Sequence, residues 1–300
     1  MGSGGTRLLG IFGDPIAHSL SPVIHNLSCN LLGLDYRYLP FHVVPERLPS
    51  ALQSFRNLGG IGFNATIPHK EALLPLMDEL TPEARRIGAV NTVICQERLI
   101  GHNTDAYGFL AALQEVRPDL PDGHHVLVLG AGGAARSVVS ALLDTGCQTL
   151  FLANRTLGRA EALAQFFAPH DPGHRIRPMP LDVDRLPWET ITLLVNTTSL
   201  GIHGEASLPV AWHRLPDDAF VYDIVYGPRD TPLTRLALSH HRQSMDGLGM
   251  LIHQAAAAFT LWTNHEMPVA MVRSFLSRSR DGHSLDGVGG GIRMMHDLEG

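Results

Sequence analysis

The sequence has few cysteines and a modest share of charged residues, and each shortage excludes a class of protein. Its 300 residues include 3 cysteines and 17% charged side chains, with a formal net charge of -6. Cys29, Cys95 and Cys147 are too far apart for a disulfide framework or a Cys-x-x-Cys metal site, so we expect buried, inert thiols in a reducing compartment. The negative net charge argues against a general role in nucleic-acid binding.

Long apolar runs are also missing. No stretch of 18 apolar residues occurs, so the sequence predicts no transmembrane helix and no membrane partner. Residues 1–5 lack the basic start and apolar stretch of a secretory signal, which favours a cytoplasmic protein. The 17 histidines form no His-Glu-x-x-His motif and no cluster with cysteine, so we expect no metal. A hydrophobic content of 44% over this length predicts one large or two medium-sized domains.

Short apolar runs alternate with segments of helical periodicity along the chain, and a second section begins near Gly123. This alternation is typical of doubly wound α/β domains. The apolar runs predict strands over residues 8–13, 36–44, 60–65, 90–95, 125–129, 148–153, 191–195 and 220–225. The periodic segments predict helices over residues 22–32, 47–58, 105–115, 136–145, 158–167, 250–262 and 268–277.

A glycine-rich turn follows the strand predicted at residues 125–129. Its pattern is Gly130-x-Gly132-x-x-Ala135. Gly130 permits a tight turn, Gly132 lets the backbone approach a pyrophosphate, and Ala135 is small enough for helix and strand to pack closely. The phosphates would lie at the helix N-terminus, where free N–H groups and the positive end of the helix dipole meet them. This context favours a dinucleotide site over a glycine turn without a ligand.

The end of the next strand indicates which dinucleotide is bound. NAD sites usually carry Asp or Glu roughly 20 residues after the glycine turn, to hold the ribose hydroxyls. This chain instead has Asn154-Arg155-Thr156, with Arg159 just beyond. Arg155 can clamp a 2′-phosphate with a charge-assisted fork, and Arg159 is either a second cation or a solvated residue at the helix start. The sequence therefore predicts NADP.

Two charged residues are candidates for the chemistry. Lys70 follows a stretch containing glycine and proline, which favours a shaped loop at a strand end over a solvated surface charge. Asp105 stands where the helix of residues 105–115 is predicted to begin, so we expect it to be the N-cap, with one oxygen free to face a cleft. Their separation along the chain does not by itself pair them.

Nine short motifs, in this order, resemble the shikimate dehydrogenase family. Together they span most of the chain, from Ile11 to about Gln254. They are Pro15-Ile16-Ala17-His18-Ser19-Leu20-Ser21-Pro22, Asn64-Ala65-Thr66-Ile67-Pro68-His69-Lys70, Gly88-Ala89-Val90-Asn91-Thr92, Asn103-Thr104-Asp105, the turn of residues 130–135, Asn154-Arg155-Thr156, Asn196-Thr197-Thr198-Ser199-Leu200-Gly201, Tyr222-Asp223-Ile224-Val225-Tyr226, and Asp246-Gly247-Leu248-Gly249-Met250 with Gln254.

The resemblance implies an activity and a role for each matching residue. The activity is the NADP-dependent, reversible reduction of 3-dehydroshikimate to shikimate, on the route to chorismate and the aromatic amino acids. Lys70 and Asp105 would flank the reduced carbon. The substrate ligands would be Ser19, Ser21, Thr66, Asn91, Tyr226 and Gln254. The cofactor ligands would be Gly130, Ala131, Gly132, Gly133, Ala134, Asn154, Arg155, Thr156, Arg159, Thr198, Ser199, Ile224 and Gly247.

The resemblance also implies two α/β domains with the active site in the cleft between them. We expect a discontinuous substrate domain over residues 6–107, completed by 251–280, a Rossmann-like NADP domain over 108–250, and a glycine-rich tail over 281–300. The partners would be the small-molecule substrate and, at most, a second copy in a homodimer. A broader quinate/shikimate dehydrogenase and a non-catalytic sensor of such ligands are the alternatives, although Ser19, Ser21 and Thr66 match the pattern for shikimate.

Overall fold

The structure is a computed structural model that describes residues 5–120, 122–202, 208–227 and 229–280. The predicted tail of residues 281–300 lies outside the described residues. Two six-stranded sheets follow one another along the chain, and each is covered by helices. The prediction of two α/β domains is confirmed. Among the described helices, none combines the length and apolar character needed to cross a membrane.

The first sheet is mixed. Its strands are ordered β2-β1-β3-β5-β6-β4; β1 is parallel to β2 and β3, whereas β5 is antiparallel to β3 and β6. The strands are β1 (Arg7–Gly13), β2 (Tyr36–His42), β3 (Gly60–Ala65), β4 (Glu79–Leu80), β5 (Thr92–Cys95) and β6 (Leu99–His102). The helices are α1 (Ser21–Leu31), α2 (Leu48–Asn57), α3 (His69–Ala72) and α4 (Pro82–Ile87).

The second sheet is parallel throughout, with strand order β12-β11-β10-β7-β8-β9. This is the Rossmann order, and the order reverses between β7 and β10, where such sheets bind ligands. The remaining described α-helices of the chain are α5 (Asp105–Val116), α6 (Gly133–Leu143), α7 (Leu157–Phe167), α8 (Pro232–Ser239), α9 (Leu248–Thr263) and α10 (Val269–Arg280). The strands are β7 (His125–Leu129), β8 (Thr149–Asn154), β9 (Ile176–Pro180), β10 (Leu193–Asn196), β11 (Phe220–Asp223) and β12 (Gln243–Met245).

The alternation of side chains along β1 builds two cores on the first sheet. Leu9 and Ile11 pack with residues of α1 and α9 on one face, whereas Phe12 packs on the other and stacks on Phe63 with ring centroids 4.2 Å apart. The C-terminal helices therefore return to the first sheet. Trp262 of α9 anchors this return, since its indole N–H donates to the carbonyl of Val93, 3.0 Å away.

Two small residues let α5 and α9 approach closely enough to shape the site. A side-chain carbon on Gly108 would lie 2.8 Å from Cβ of Gln254 and from the carbonyl oxygen of Met250. A carbon on Gly249 would lie 3.0 Å from Cβ of Ala112. Gln254 is thereby brought against the first turn of α5 and close to Asn91.

The start of α5 corrects one expectation. Asp105 is the first helical residue and Thr104 occupies the N-cap position, so the prediction that Asp105 caps the helix is wrong. Oδ1 of Asn103 instead accepts the backbone N–H groups of Asp105 and Ala106, at 3.0 and 3.4 Å. Because Asn103 performs the capping, the Asp105 carboxylate is free to bind other side chains.

Candidate active site

Lys70 and Asp105 form a hydrogen-bonded ion pair beside the carboxyl end of β3, in the first sheet. Nζ of Lys70 donates to Oδ2 of Asp105 at 2.5 Å, and the two side chains are 15% and 7% exposed. Lys70 lies in the short helix α3 and not in an open loop. Two hydrogen bonds hold this helix in place. The backbone N–H of Val90 donates to the Lys70 carbonyl at 2.8 Å. On the other side, Nε2 of the buried His69 lies 2.7 Å from the Val43 carbonyl.

Asn91 holds the second oxygen of Asp105. Its Nδ2 donates to Oδ1 of Asp105 at 2.8 Å and lies 3.4 Å from Oε1 of Gln254. The orientation of this amide is fixed by chemistry, because the backbone N–H of Thr104 lies 2.8 Å from Oδ1 of Asn91 and can only donate. The fold thus brings together Lys70, Asp105, Asn91 and Gln254, which lie far apart in the sequence.

Three of the expected substrate ligands meet at the start of α1. The backbone N–H of Ser21 donates to Oγ of Ser19 at 3.3 Å. Burial raises the pKa of Tyr226, while the Leu20 backbone and the Ser19 side chain act in the opposite direction. These three hydroxyl groups provide neutral donors of the kind that bind a carboxylate.

Thr66 is placed by the strand that precedes Lys70. Its backbone N–H donates to the Phe12 carbonyl at 2.9 Å, and its own carbonyl accepts the N–H of His69 at 2.8 Å. The methyl group of Thr66 packs against Gly13, where a side-chain carbon would lie 2.4 Å away. Thr66 therefore stands in the turn that connects β3 to Lys70.

The glycine turn of residues 130–134 fits a pyrophosphate. Gly130 has a positive φ of 110°, and a side-chain carbon on it would lie 2.7 Å from Oγ1 of Thr197. Gly132 is the N-cap of α6 and faces open space, since nothing described lies within 4 Å of a carbon added there. A carbon on Gly133 would lie 3.6 Å from Cβ of Lys70, so the turn stands directly beside the ion pair.

Two exposed arginines, Arg155 and Arg159, follow the end of β8. Nδ2 of Asn154 donates to the Thr156 carbonyl at 2.9 Å, which shapes the turn and leaves Arg155, Thr156 and Arg159 exposed. Within the described part of the chain, neither arginine forms an ion pair with a carboxylate. This cationic turn suits the 2′-phosphate of NADP.

A buried polar pair that sequence reasoning missed shapes the loops after β10 and β11. Nδ2 of Asn196 donates to Oδ1 of Asp223 at 2.8 Å, and Oδ1 of Asn196 accepts the backbone N–H and hydroxyl of Thr198 at 2.9 and 2.8 Å. Burial raises the pKa of Asp223 against the opposing hydrogen bonds of Thr231, Val225 and Asn196. A buried amide and carboxylate that each end an apolar strand were the signal that could have revealed this pair.

Three further expected cofactor residues lie near that pair. Gly247 donates its backbone N–H to the Val225 carbonyl at 2.9 Å, and a side-chain carbon on it would lie 2.0 Å from the carbonyl oxygen of Ile224. Only glycine fits at this approach. Ser199 is exposed in the turn that follows Thr198.

Two ion pairs connect α6 with the first sheet's helices. Nη2 of Arg136 lies 3.1 Å from Oε2 of Glu71, the neighbour of Lys70. Arg86 of α4 binds both carboxylate oxygens of Asp144 at the other end of α6. Among the described residues, no group of three or more His, Cys, Asp or Glu side chains is arranged to hold a metal ion.

A Rossmann sheet with an open glycine turn, beside a lysine–carboxylate pair on a second α/β domain, defines the class as a dinucleotide-dependent dehydrogenase. The curated shikimate dehydrogenase (NADP(+)) of Magnetococcus marinus is 48% identical over 277 residues, which cover 91% of this chain and 96% of that protein. The chain therefore belongs to the shikimate dehydrogenase family.

Family models and solved structures agree with this membership. The shikimate dehydrogenase substrate binding domain matches residues 11–93, shikimate / quinate 5-dehydrogenase matches 113–179, and the shikimate 5'-dehydrogenase C-terminal domain matches 247–274. A shikimate dehydrogenase in complex with NADP+ superposes with a TM-score of 0.85 at 34% identity, covering 92% of this chain and 96% of the other. The Thermus thermophilus enzyme in complex with NADP(H) and shikimate gives a TM-score of 0.79 at 39% identity, covering 91% and 99%.

Proposed function

We propose that this protein catalyses the reversible, NADP-dependent reduction of 3-dehydroshikimate to shikimate, on the route to chorismate and the aromatic amino acids. The observation that carries the proposal is the Lys70–Asp105 pair, 2.5 Å between Nζ and Oδ2, beside a glycine turn that can hold a dinucleotide. The curated relatives named shikimate dehydrogenase (NADP(+)) support it. So does the Thermus thermophilus structure with NADP(H) and shikimate.

The cofactor fits the described residues of the second domain. Residues 130–134 would hold the pyrophosphate, and Asn154, Arg155, Thr156 and Arg159 the adenosine phosphate. Thr198, Ser199, Ile224 and Gly247 would line the path to the nicotinamide. When bound, NADPH supplies the hydride that reduces the substrate carbonyl. Two features support this fit: the open side of Gly132, and the charge of Arg155, which forms no ion pair with any described carboxylate.

Lys70 and Asp105 would act on the carbonyl oxygen of the substrate. That oxygen gains negative charge during the reaction, and an ammonium held nearby stabilises the charge and supplies a proton, an acid–base contribution of roughly 10²–10⁴-fold. Asp105 fixes the Lys70 ammonium through Oδ2, while Asn91 fixes Asp105 through Oδ1. The pair is therefore oriented before substrate arrives, and its low exposure excludes much of the solvent.

The remaining ligands would orient the substrate ring. Ser19, Ser21 and Tyr226 would donate to its carboxylate, and Thr66, Asn91 and Gln254 would bind its hydroxyl groups. Neutral hydroxyl donors in place of arginine favour moderate affinity, with selectivity from the shape of the pocket. The contacts of Ser19 with Tyr226 and of Asn91 with Gln254 support two such groups of ligands.

All the proposed substrate ligands except Tyr226 lie in one domain, and all the proposed cofactor ligands lie in the other. We assign residues 6–107, completed by 251–280, to the substrate domain and residues 108–250 to the NADP domain. The packing of α9 on the first sheet supports this assignment. We further propose that the protein acts in the cytoplasm as a monomer or homodimer.

Absorbance at 340 nm tests the proposed function directly. Purified protein mixed with shikimate and NADP should reduce the cofactor, with a lower kcat/KM for quinate and for NAD. A larger kcat/KM with quinate would support the broader quinate/shikimate dehydrogenase. No change with either acid would refute the enzymatic function and favour a ligand sensor.

A further inference from the structure

Tyr38 is a buried residue next to the site, and sequence analysis gave it no role. Its ring is fixed by packing: it is 0% exposed, stacks on His25 with ring centroids 4.3 Å apart, and lies 6.1 Å from the ring of Trp262. Burial raises the pKa of the Tyr38 phenol well above its usual value, so the hydroxyl keeps its proton. The position and the protonation of this hydroxyl are therefore both constrained.

The direction of its hydrogen bond follows from its neighbour Asn64. Nδ2 of Asn64 lies 3.1 Å from the Asn91 carbonyl, which can only accept, and 3.0 Å from Oγ1 of Thr92. Oδ1 of Asn64 consequently faces Tyr38, whose hydroxyl lies 2.7 Å away. Tyr38 must donate to Asn64.

From Asn64 the chain of hydrogen bonds continues to the ion pair. The Thr92 hydroxyl accepts from Asn64 and donates to Oδ1 of Asn91 at 2.9 Å. Nδ2 of Asn91 then donates to Oδ1 of Asp105 at 2.8 Å. The same Nδ2 also lies 2.9 Å from Oγ1 of Thr104 and 3.4 Å from Oε1 of Gln254. Because Oδ1 of Asn91 accepts from the Thr92 hydroxyl and from the Thr104 backbone N–H, the path turns the NH2 group of Asn91 toward the carboxylate that holds Lys70.

We propose that Tyr38 is a positioning residue at the start of the Asn64–Thr92–Asn91 path that ends at Asp105. This inference rests on the proposed function, since it takes Asn91 as a substrate ligand and Asp105 as a member of the catalytic pair. The effect of Tyr38 is to hold Asn64, and through it Thr92 and Asn91, in the orientation that points the Asn91 amide at Asp105.

The test is Tyr38→Phe, which keeps the ring and removes only the hydroxyl. Tyr222→Phe is the matched control, because Tyr222 is also 0% exposed, stacks on Phe109 at 5.0 Å, and its hydroxyl has no hydrogen-bond partner among the described residues. For Tyr38→Phe we expect kcat/KM for shikimate to fall about tenfold, with KM for shikimate raised and KM for NADP unchanged. Tyr222→Phe should leave all three constants near those of the wild type.

The outcomes separate this inference from the proposed function. Loss of thermal stability in Tyr38→Phe with an unchanged KM for shikimate would show a purely structural role and overturn the inference, while activity of the wild type still supports the function. An inactive wild-type protein would refute the function itself.

Thr92 supplies a second test that does not alter the aromatic core. Thr92→Val removes the hydroxyl between Asn64 and Asn91, whereas Thr92→Ser keeps it. We expect Thr92→Val to lower kcat for shikimate about tenfold and Thr92→Ser to retain most of it. Equal kcat values for the two variants would contradict the path.

Discussion

Replacing Lys70 by methionine tests the central geometry, because activity and stability should respond differently to the same change. Methionine keeps most of the side-chain volume and removes the ammonium. Turnover should fall by about 10²–10⁴-fold, the range for losing a positioned acid. KM for NADP should change little, since only the aliphatic part of Lys70 approaches the glycine turn, near Gly133.

The same substitution should also destabilise the fold. Asp105 is 7% exposed, and without Lys70 its carboxylate stays buried, with Asn91 as its remaining side-chain donor among the described residues. Removing one partner of a buried ion pair typically costs about 3–5 kcal/mol, and the exposure of Lys70, 15%, places this pair near the lower value. We therefore expect a loss of about 3 kcal/mol in the free energy of unfolding.

The double variant Lys70→Met, Asp105→Asn separates the two effects. It removes both charges, so at least half of the lost stability should return while turnover stays at the level of the single variant. Urea unfolding followed by circular dichroism measures the first quantity, and absorbance at 340 nm the second. A double variant no more stable than Lys70→Met would refute the buried pair. Near-normal turnover in Lys70→Met would remove Lys70 from the mechanism.

Three further predictions concern other parts of the molecule. Arg155→Ala should raise KM for NADP about 10–100-fold and leave KM for NAD nearly unchanged, since only NADP carries the 2′-phosphate; equal effects on both cofactors would contradict this role. Burial raises the pKa of Cys29 to about 11, that of Cys95 to about 12 and that of Cys147 above its usual value, so a thiol reagent at pH 8 should label none of them before unfolding. Burial lowers the pKa of His25 from 6.5 to about 3. Between these two pH values the unfolded chain binds a proton at His25 that the folded protein does not bind. The free energy of unfolding should therefore fall as pH drops from 6.5 toward 3, by up to about 1.4 kcal/mol per pH unit. The His25 ring forms no hydrogen bond with the described residues, so His25→Leu should flatten that slope in urea titrations; an unchanged slope would exclude His25 as its source.

Local patterns were sufficient to predict much of the second domain. The strand of residues 125–129 and the glycine turn are contiguous, and the structure has β7 over His125–Leu129, although α6 begins at Gly133 and not at residue 136. The edge strand β9 was missed because it contains two prolines, which an edge position tolerates and a sequence pattern argues against. The short β12 has too few residues to show periodicity.

The first domain was harder to predict because its contacts are not local. β1, β2 and β3 are parallel, whereas β5 and β6 form an antiparallel hairpin beside β3. The segments that flank this hairpin place Asn91 and Asp105 beside Lys70. No spacing in the sequence reveals that pairing. The sequence also could not show which of Asn103, Thr104 and Asp105 caps α5, because all three residue types cap helices. Tertiary contacts decide the matter: Asn103 accepts the backbone N–H of Asp105, and the Asp105 carboxylate binds Lys70.

Both domains hold the charged residues of the site in place. Lys70, Asp105 and Asn91 form hydrogen bonds to one another, to the first sheet and to the segments that flank it. The second domain contributes as well, because Oγ of Ser137 in α6 donates to Oδ1 of Asn103, which also accepts the backbone N–H of Asp105. The glycine turn precedes the same helix α6 and lies beside Lys70 at Gly133, near the Arg136–Glu71 ion pair. Helix α6 is therefore the element that connects the cofactor turn to the start of α5, so a change in its packing should alter the cofactor turn and the alignment of Asp105 together.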